Sequence, residues 1–192
     1  MSVQLGAMHS ASFATDPKHL GFVLARYHFA ARMLAGLHSV LEVGCGDGTG
    51  AQIVRGSVHY LALIDADPNS VGERHDMVDD GPYDLMPWDA VYALDVLEHI
   101  VPADEDVFLG NIVRTLKPHG CVIIGTPSLE SQPYASELSR LYHVNCKTED
   151  GLRETLQRHF HNVFLFGMND ATLHTGFGAM CHYRLAVCAG KR

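Results

Sequence analysis

Residues 40–48 read VLEVGCGDG, an apolar run that ends in three glycines at alternate positions. The run has the character of a buried strand, and Gly44, Gly46 and Gly48 form the turn that follows it. Each glycine can take positive φ and lets a ligand lie against the backbone without meeting a Cβ. A strand opening into such a turn commits the chain to an α/β unit with a ligand cradle at the strand's carboxyl end. The dinucleotide fingerprint has the form GxGxxG, but counted from Gly44 its third glycine position holds Thr49. Glu42 also sets a carboxylate just before the turn, where it would repel a pyrophosphate. The cradle therefore suits a ligand that carries positive charge.

A chain of 192 residues, 47% of them hydrophobic, can bury a real core, and a single domain over 1–192 is expected. The formal charge of −8 offers no basic footprint for a phosphate backbone, which disfavours nucleic acid and favours a small-molecule acceptor. Cys45, Cys121, Cys146, Cys181 and Cys188 are odd in number and contain no CxxC pair, as in a reducing compartment. With no basic-then-apolar leader and no run of about 18 apolar residues, a cytoplasmic protein without membrane insertion is expected. The sequence carries no signal of oligomeric state.

The first 15 residues read as a flexible lead-in. Asp16-Pro17 reads as an N-cap and first-turn proline, and Leu20, Val23, Leu24, Tyr27, Ala31 and Leu34 recur at helical spacing, so a helix is expected over 16–37. After the glycine turn come a short helix near 49–55 and a second strand, Val58 to Ile64, ended by Asp65-Ala66-Asp67-Pro68. A short helix and a weak strand near 74–78 are expected before a clearer strand at 90–94. Val107, Phe108, Ile112, Val113 and Leu116 mark a helix closed by Lys117-Pro118-His119-Gly120, and CVIIGT (121–126) is a strand buried on both faces. A helix capped by Thr148 and strands at 162–166 and 184–188 complete the series. Such alternation predicts a doubly wound, mostly parallel seven-stranded sheet with helices on both faces and the ligand at the carboxyl ends of its strands.

With these motifs in this order, the chain resembles the class I S-adenosylmethionine-dependent methyltransferases over about residues 20–188. The resemblance rests on Glu42 with Gly44, Gly46 and Gly48, and on Asp65 ending LALID 23 residues after Glu42. DVLEHI (95–100) and LKPHGCVIIGTPS (116–128) extend it. It implies a Rossmann-like fold and S-adenosyl-L-methionine as methyl donor, leaving S-adenosyl-L-homocysteine. It implies cofactor contacts at Glu42, Gly44, Cys45, Gly46, Gly48, Asp65, Ala66, Asp76, Met77 and Asp95. In that scheme Glu42 answers the ammonium through water and the turn's N–H groups answer the carboxylate. Asp65 accepts both ribose hydroxyls, and Asp76 beside Met77 meets the adenine.

Methyl transfer is an in-line displacement, so holding the two reactants in near-attack geometry supplies much of the catalysis. Asp95 stands where the methyl group should point, and His99, one turn on, is the leading general-base candidate, with His143 second. Asp95, Glu98, His99 and His143 also resemble the ExxEH…H pattern with which small-RNA 2′-O-methyltransferases hold a divalent metal, with aspartate in place of the first glutamate. Similar strings occur in methyltransferases without metal and the chain is acidic, so a site without metal is expected. Residues 128–145 and 168–180 read as substrate loops, with Tyr134, Tyr142, Asn145, Asn169, Asp170 and His174 as candidate contacts for a polyhydroxylated or aromatic acceptor. The expected activity is methylation of a small molecule, at oxygen, such as a sugar, a cell-envelope precursor or a phenol. The alternatives are the metal-assisted RNA enzyme, a nicotinamide-dependent oxidoreductase and a cofactor-binding protein without turnover.

Overall fold

Asp16 begins the ordered frame as the sequence predicts: its carboxylate accepts the His19 N–H at 3.2 Å, and Pro17 opens helix α2, Pro17–Met33. The computed structural model describes residues 6–192, so residues 1–5 of the expected lead-in lie outside the described residues. Ala7–Thr15, read from sequence as flexible, forms helix α1. The chain then runs through β1 (Ser39–Val43), α3 (Ala51–Arg55), β2 (Tyr60–Asp65), β3 (Glu73–Arg74) and β4 (Trp88–Leu94). Helix α4 (Glu105–Thr115) crosses to β5 (Leu116–Pro127). After a 3-10 turn at Leu129–Tyr134 come α5 (Glu137–Tyr142), α6 (Glu149–Gln157), β6 (Phe160–Asn169), β7 (Thr172–His174) and β8 (Tyr183–Lys191).

These strands form one sheet in the order β3-β2-β1-β4-β5-β8-β6-β7. The pairs β2–β3, β1–β2, β1–β4 and β4–β5 are parallel, whereas β5–β8, β6–β8 and β6–β7 are antiparallel. The order of winding reverses between β1 and β4, which opens a crevice at their carboxyl ends. Both faces of the sheet are covered. Alternation along β4 sends Val91 and Ala93 into a core shared with Phe108, Leu109 and Ile112 of α4. Tyr92 and Leu94 go to the opposite core, shared with Tyr27, Ala30 and Ala31 of α2.

Three local expectations differ from the fold. The sheet has eight strands among the described residues because β7 adds a short hairpin to β6, with Asp170 at φ 52° in the turn. The weak third strand is two residues long, and the helix expected beside it is absent among the described residues. There the Asp76 carboxylate accepts the Val78 N–H at 2.8 Å and the Asp80 carboxylate accepts the Asp76 N–H at 2.8 Å, so side chains take donors a helix would need. The loop expected at 128–145 holds the 3-10 turn and α5, each capped by a serine: Ser128 accepts the Ser131 N–H and Ser136 the Ser139 N–H.

Candidate functional site

The turn after β1 uses its glycines for geometry. Gly44, Gly46 and Gly48 all have positive φ (78°, 51° and 70°), and a Cβ on Gly44 would lie 2.3 Å from Val96 Cγ2. The turn is held from inside the protein. Gly44 and Cys45 donate their N–H groups to the Ile64 carbonyl, Gly46 to Asp65 Oδ2 at 2.8 Å and Gly48 to the Cys45 carbonyl. These four N–H groups, expected to receive the cofactor carboxylate, are thus engaged within the fold.

Asp65 sits at the end of β2 beside the turn. Its Oδ2 accepts Gly46 N–H and its Oδ1 accepts Asp67 N–H at 2.9 Å, which leaves each oxygen further lone-pair capacity for a diol. Ala66 is exposed in the loop that follows. Glu42 lies in a different setting: only 1% exposed, it accepts the Tyr92 hydroxyl at 2.7 Å. Burial pushes its carboxyl up to about 8, against hydrogen bonds from the Tyr92 and Tyr27 hydroxyls. Asp76 caps its own turn, and Met77 is buried in the core, its carbonyl accepting from the Asn111 amide at 2.5 Å.

Across the crevice, Asp95 ends β4 at φ 59°, a left-handed conformation that costs a non-glycine residue about 1–2 kcal/mol. Arg26, reaching from α2, holds it: the Arg26 Nη1 lies 2.7 Å from both Asp95 oxygens, and the guanidinium carbon stands 3.8 Å from the Tyr183 ring centre. Sequence reasoning missed Arg26. Its signal was a charge placed three residues after Val23 and four before Ala30, on the face that packs inward.

Glu98, His99 and His143 converge, each offering an atom within 4.8 Å of the others. The imidazoles of His99 and His143 stand edge to face with centres 5.3 Å apart. His99 Nδ1 lies 3.1 Å from the Tyr142 carbonyl and His143 Nδ1 lies 3.1 Å from Gln132 Oε1. In the neutral rings both Nδ1 atoms therefore carry the hydrogen and both Nε2 atoms keep a lone pair. Glu98 accepts the Thr126 hydroxyl on Oε2, while its buried Oε1 has no hydrogen-bond partner among the described residues. Burial and neighbouring Asp95 push the Glu98 carboxyl well above the usual carboxylate range. The carbonyl of Glu98 accepts the N–H groups of Val144 (2.8 Å) and Asn145 (3.0 Å), which brings His143 from 45 residues downstream against the end of β4.

Two cavities meet here. One of about 310 Å³ lies between Gly44, Cys45 and Gly46 on one side and Asp95, Glu98 and His99 on the other, with His9 of α1 in its wall. The second, about 660 Å³, is lined by Thr15, Asp16, Ser131, Gln132, Tyr134, Ser136, Asp170 and His182. Both touch His19, Arg26, Pro127, Ser139 and His143. Burial is the main reason that His19, His143 and His182 lie below the ordinary imidazole range; Arg26 adds to it at His19 and His182, and His99 at His143. The cavities thus gather Glu98, His99, Asp95 and the glycine turn with Tyr134 and Asp170. Three other expected acceptor contacts have structural partners. Asn145 is buried and donates to Glu105 at 2.8 Å, and His174 pairs with Asn169 at 2.7 Å.

A family model described as a methyltransferase domain matches residues 18–162. A Mycolicibacterium smegmatis protein described as a probable S-adenosylmethionine-dependent methyltransferase is 29% identical over 112 residues, covering 53% of this chain and 42% of that protein. The chain thus spans less than half the length of that curated relative. The N-methyltransferase NodS from Bradyrhizobium japonicum WM9, solved with S-adenosyl-l-homocysteine, has a TM-score of 0.67 at 16% identity over 95% of this chain and 96% of that one. The small RNA methyltransferase HEN1 has a TM-score of 0.71 at 14% identity, over 100% of this chain and 27% of that one. At these identities the solved structures share the fold.

Proposed function

This chain belongs to the class I S-adenosylmethionine-dependent methyltransferases, and we propose that it moves the methyl group to a hydroxyl oxygen of a small, polyhydroxylated acceptor. The observation that carries this reading is the cavity of about 660 Å³ that opens from the cofactor crevice. Its walls carry hydroxyls, an amide, carboxylates, imidazoles and the Arg26 guanidinium, with Phe22, Tyr134 and Tyr183 as the aromatic surfaces. The hydrogen-bonding groups spaced around this wall suit the several hydroxyls of a polyol, and the volume lies within the range of small-molecule pockets, about 300–1,000 Å³. In this reading His99 Nε2 takes the hydroxyl proton as the oxygen attacks, while the cofactor rests against the glycine turn and Asp65. The test is incubation with methyl-labelled S-adenosylmethionine and a matched panel of sugars, phenols and short RNAs. Label should enter a sugar oxygen; label confined to a phenol or an RNA 2′-oxygen would overturn the assignment.

One observation favours a second reading of how that oxygen is activated. Glu98, His99 and His143 each offer a ligand atom within 4.8 Å of the others, a donor set that fits a divalent cation, and each imidazole is already oriented through its Nδ1–H by an oxygen acceptor. Bound there, a cation would lower the pKa of the acceptor hydroxyl as a Lewis acid. Exhaustive dialysis against a chelator separates the readings. Activity lost and restored by Mn²⁺ or Co²⁺ supports the cation, whereas activity retained supports His99 acting alone.

A further inference from the structure

Asp47 lies inside the glycine turn, yet both of its oxygens face out of it, toward α1. Its Oδ1 stands 2.7 Å from His9 Nδ1 and its Oδ2 accepts the His9 backbone N–H at 3.3 Å. One carboxylate thus takes two donors of one residue, 38 positions away in the chain. The pair is sheltered, with the His9 and Asp47 side chains 10% and 14% exposed. Gly6 makes the approach possible, since a Cβ there would lie 2.1 Å from Asp47 Cβ. His9 in turn lines the 310 Å³ cavity, and the same helix ends at Thr15 in the wall of the larger one.

From this geometry we propose that Asp47 is a positioning residue: it docks α1 across the cofactor cavity through His9, so that the N-terminal helix becomes part of the binding site. The glycines of the turn are held by other bonds, Gly46 to Asp65 and Gly44 to Ile64, so the Asp47 carboxylate keeps lone pairs for docking. Within the turn the carboxylate also bonds Thr49, whose N–H donates to Oδ1 at 3.1 Å. A docked α1 contributes to cofactor affinity by walling the ligand from water, and bound cofactor in turn stabilises the docked helix, because linkage is reciprocal. The inference is independent of which acceptor the enzyme uses.

The experiment pairs calorimetric titration of S-adenosylhomocysteine with hydrogen exchange of the full chain, in the native protein, Asp47→Ala and His9→Ala. In the native protein the ligand should slow exchange of the amides of 6–15. Asp47→Ala should lose that protection and bind roughly 10- to 100-fold more weakly, the effect of losing hydrogen bonds to a charged group, and His9→Ala, which keeps the backbone N–H to Asp47, should lose part of both. His9→Ala is the discriminating variant, since it leaves the Asp47–Thr49 bond in place and removes no buried apolar group. Unchanged affinity and protection in His9→Ala would overturn the proposal, whatever Asp47→Ala does.

Discussion

The two halves of the sheet build their sites by different means. On the parallel side, β1, β2 and β4 end at the proposed cofactor crevice, whose β1 wall is made from backbone: three glycines at positive φ and carbonyls and a carboxylate that fix the turn. Past β5 the sheet turns antiparallel, and the proposed acceptor cavity is made from side chains on connectors tied down by distant bonds. There Glu98 holds residues 144 and 145 through its carbonyl, Ser128 donates its hydroxyl to the Cys181 carbonyl at 2.6 Å, and buried Arg184 donates to the carbonyls of Lys147 and Gly178. A backbone-built site depends on a few local conformations and tolerates little change in them. A side-chain-built site can change its lining while its anchors stay, which is how one frame serves different acceptors.

If that contrast is right, mutations on the two sides should separate binding from turnover. The largest effect is expected at the junction: His99→Ala should lower turnover by roughly 10²- to 10⁴-fold, the range for loss of a general base, with S-adenosylhomocysteine affinity unchanged by calorimetry. A parallel loss of cofactor affinity would erase the separation. Gly44→Ala attacks the backbone-built side. Positive φ and the clash with Val96 together should cost about 2–4 kcal/mol in urea unfolding, with cofactor binding lost alongside stability. Asp65→Ala tests the same side more gently. Its removal should weaken cofactor binding by about 1.5–3 kcal/mol with little change in turnover at saturating cofactor, and unchanged affinity would remove Asp65 from the ribose subsite.

A pH dependence, in place of a single loss, is expected from Glu42, whose buried carboxyl is pushed up to about 8 in the fold against an ordinary value of 4.5. The folded state then binds the proton more tightly than the unfolded chain. The stability this contributes is complete below pH 4.5 and is lost as pH rises toward 8, by up to about 1.4 kcal/mol per pH unit. Glu42→Gln should flatten that part of the pH–stability curve in urea titrations between pH 5 and 8. A curve with the same slope in the variant would show that Glu42 is ionised in the fold.

Most of the frame was legible because its signals are local. The glycine spacing, the Asp16-Pro17 helix start, the Thr148 cap and the apolar strands each act within a few residues, and α2, α4, α6, β1, β2, β4 and β5 form close to where they were expected. The failures are also physical. Residues 66–87 carry aspartates that satisfy neighbouring backbone groups, so helix periodicity meant little there, and β7 exists through its pairing with β6. Glu42 lies against the tyrosine hydroxyls of β4 and α2, partners that its own stretch of sequence does not name.

The sequence by itself determined that a strand ends in a glycine turn, that acids follow the first two strands, and that DVLEHI closes the fourth, because each depends on short-range backbone preference. Only the tertiary structure decided what those groups face. Arg26 meets Asp95 across 69 residues, His143 meets His99 across 44, and His9 meets Asp47 across 38. Such pairs are set by where a parallel sheet reverses its winding and by which connectors fold back over the crevice, and no periodicity in a single chain encodes a distance between elements that far apart.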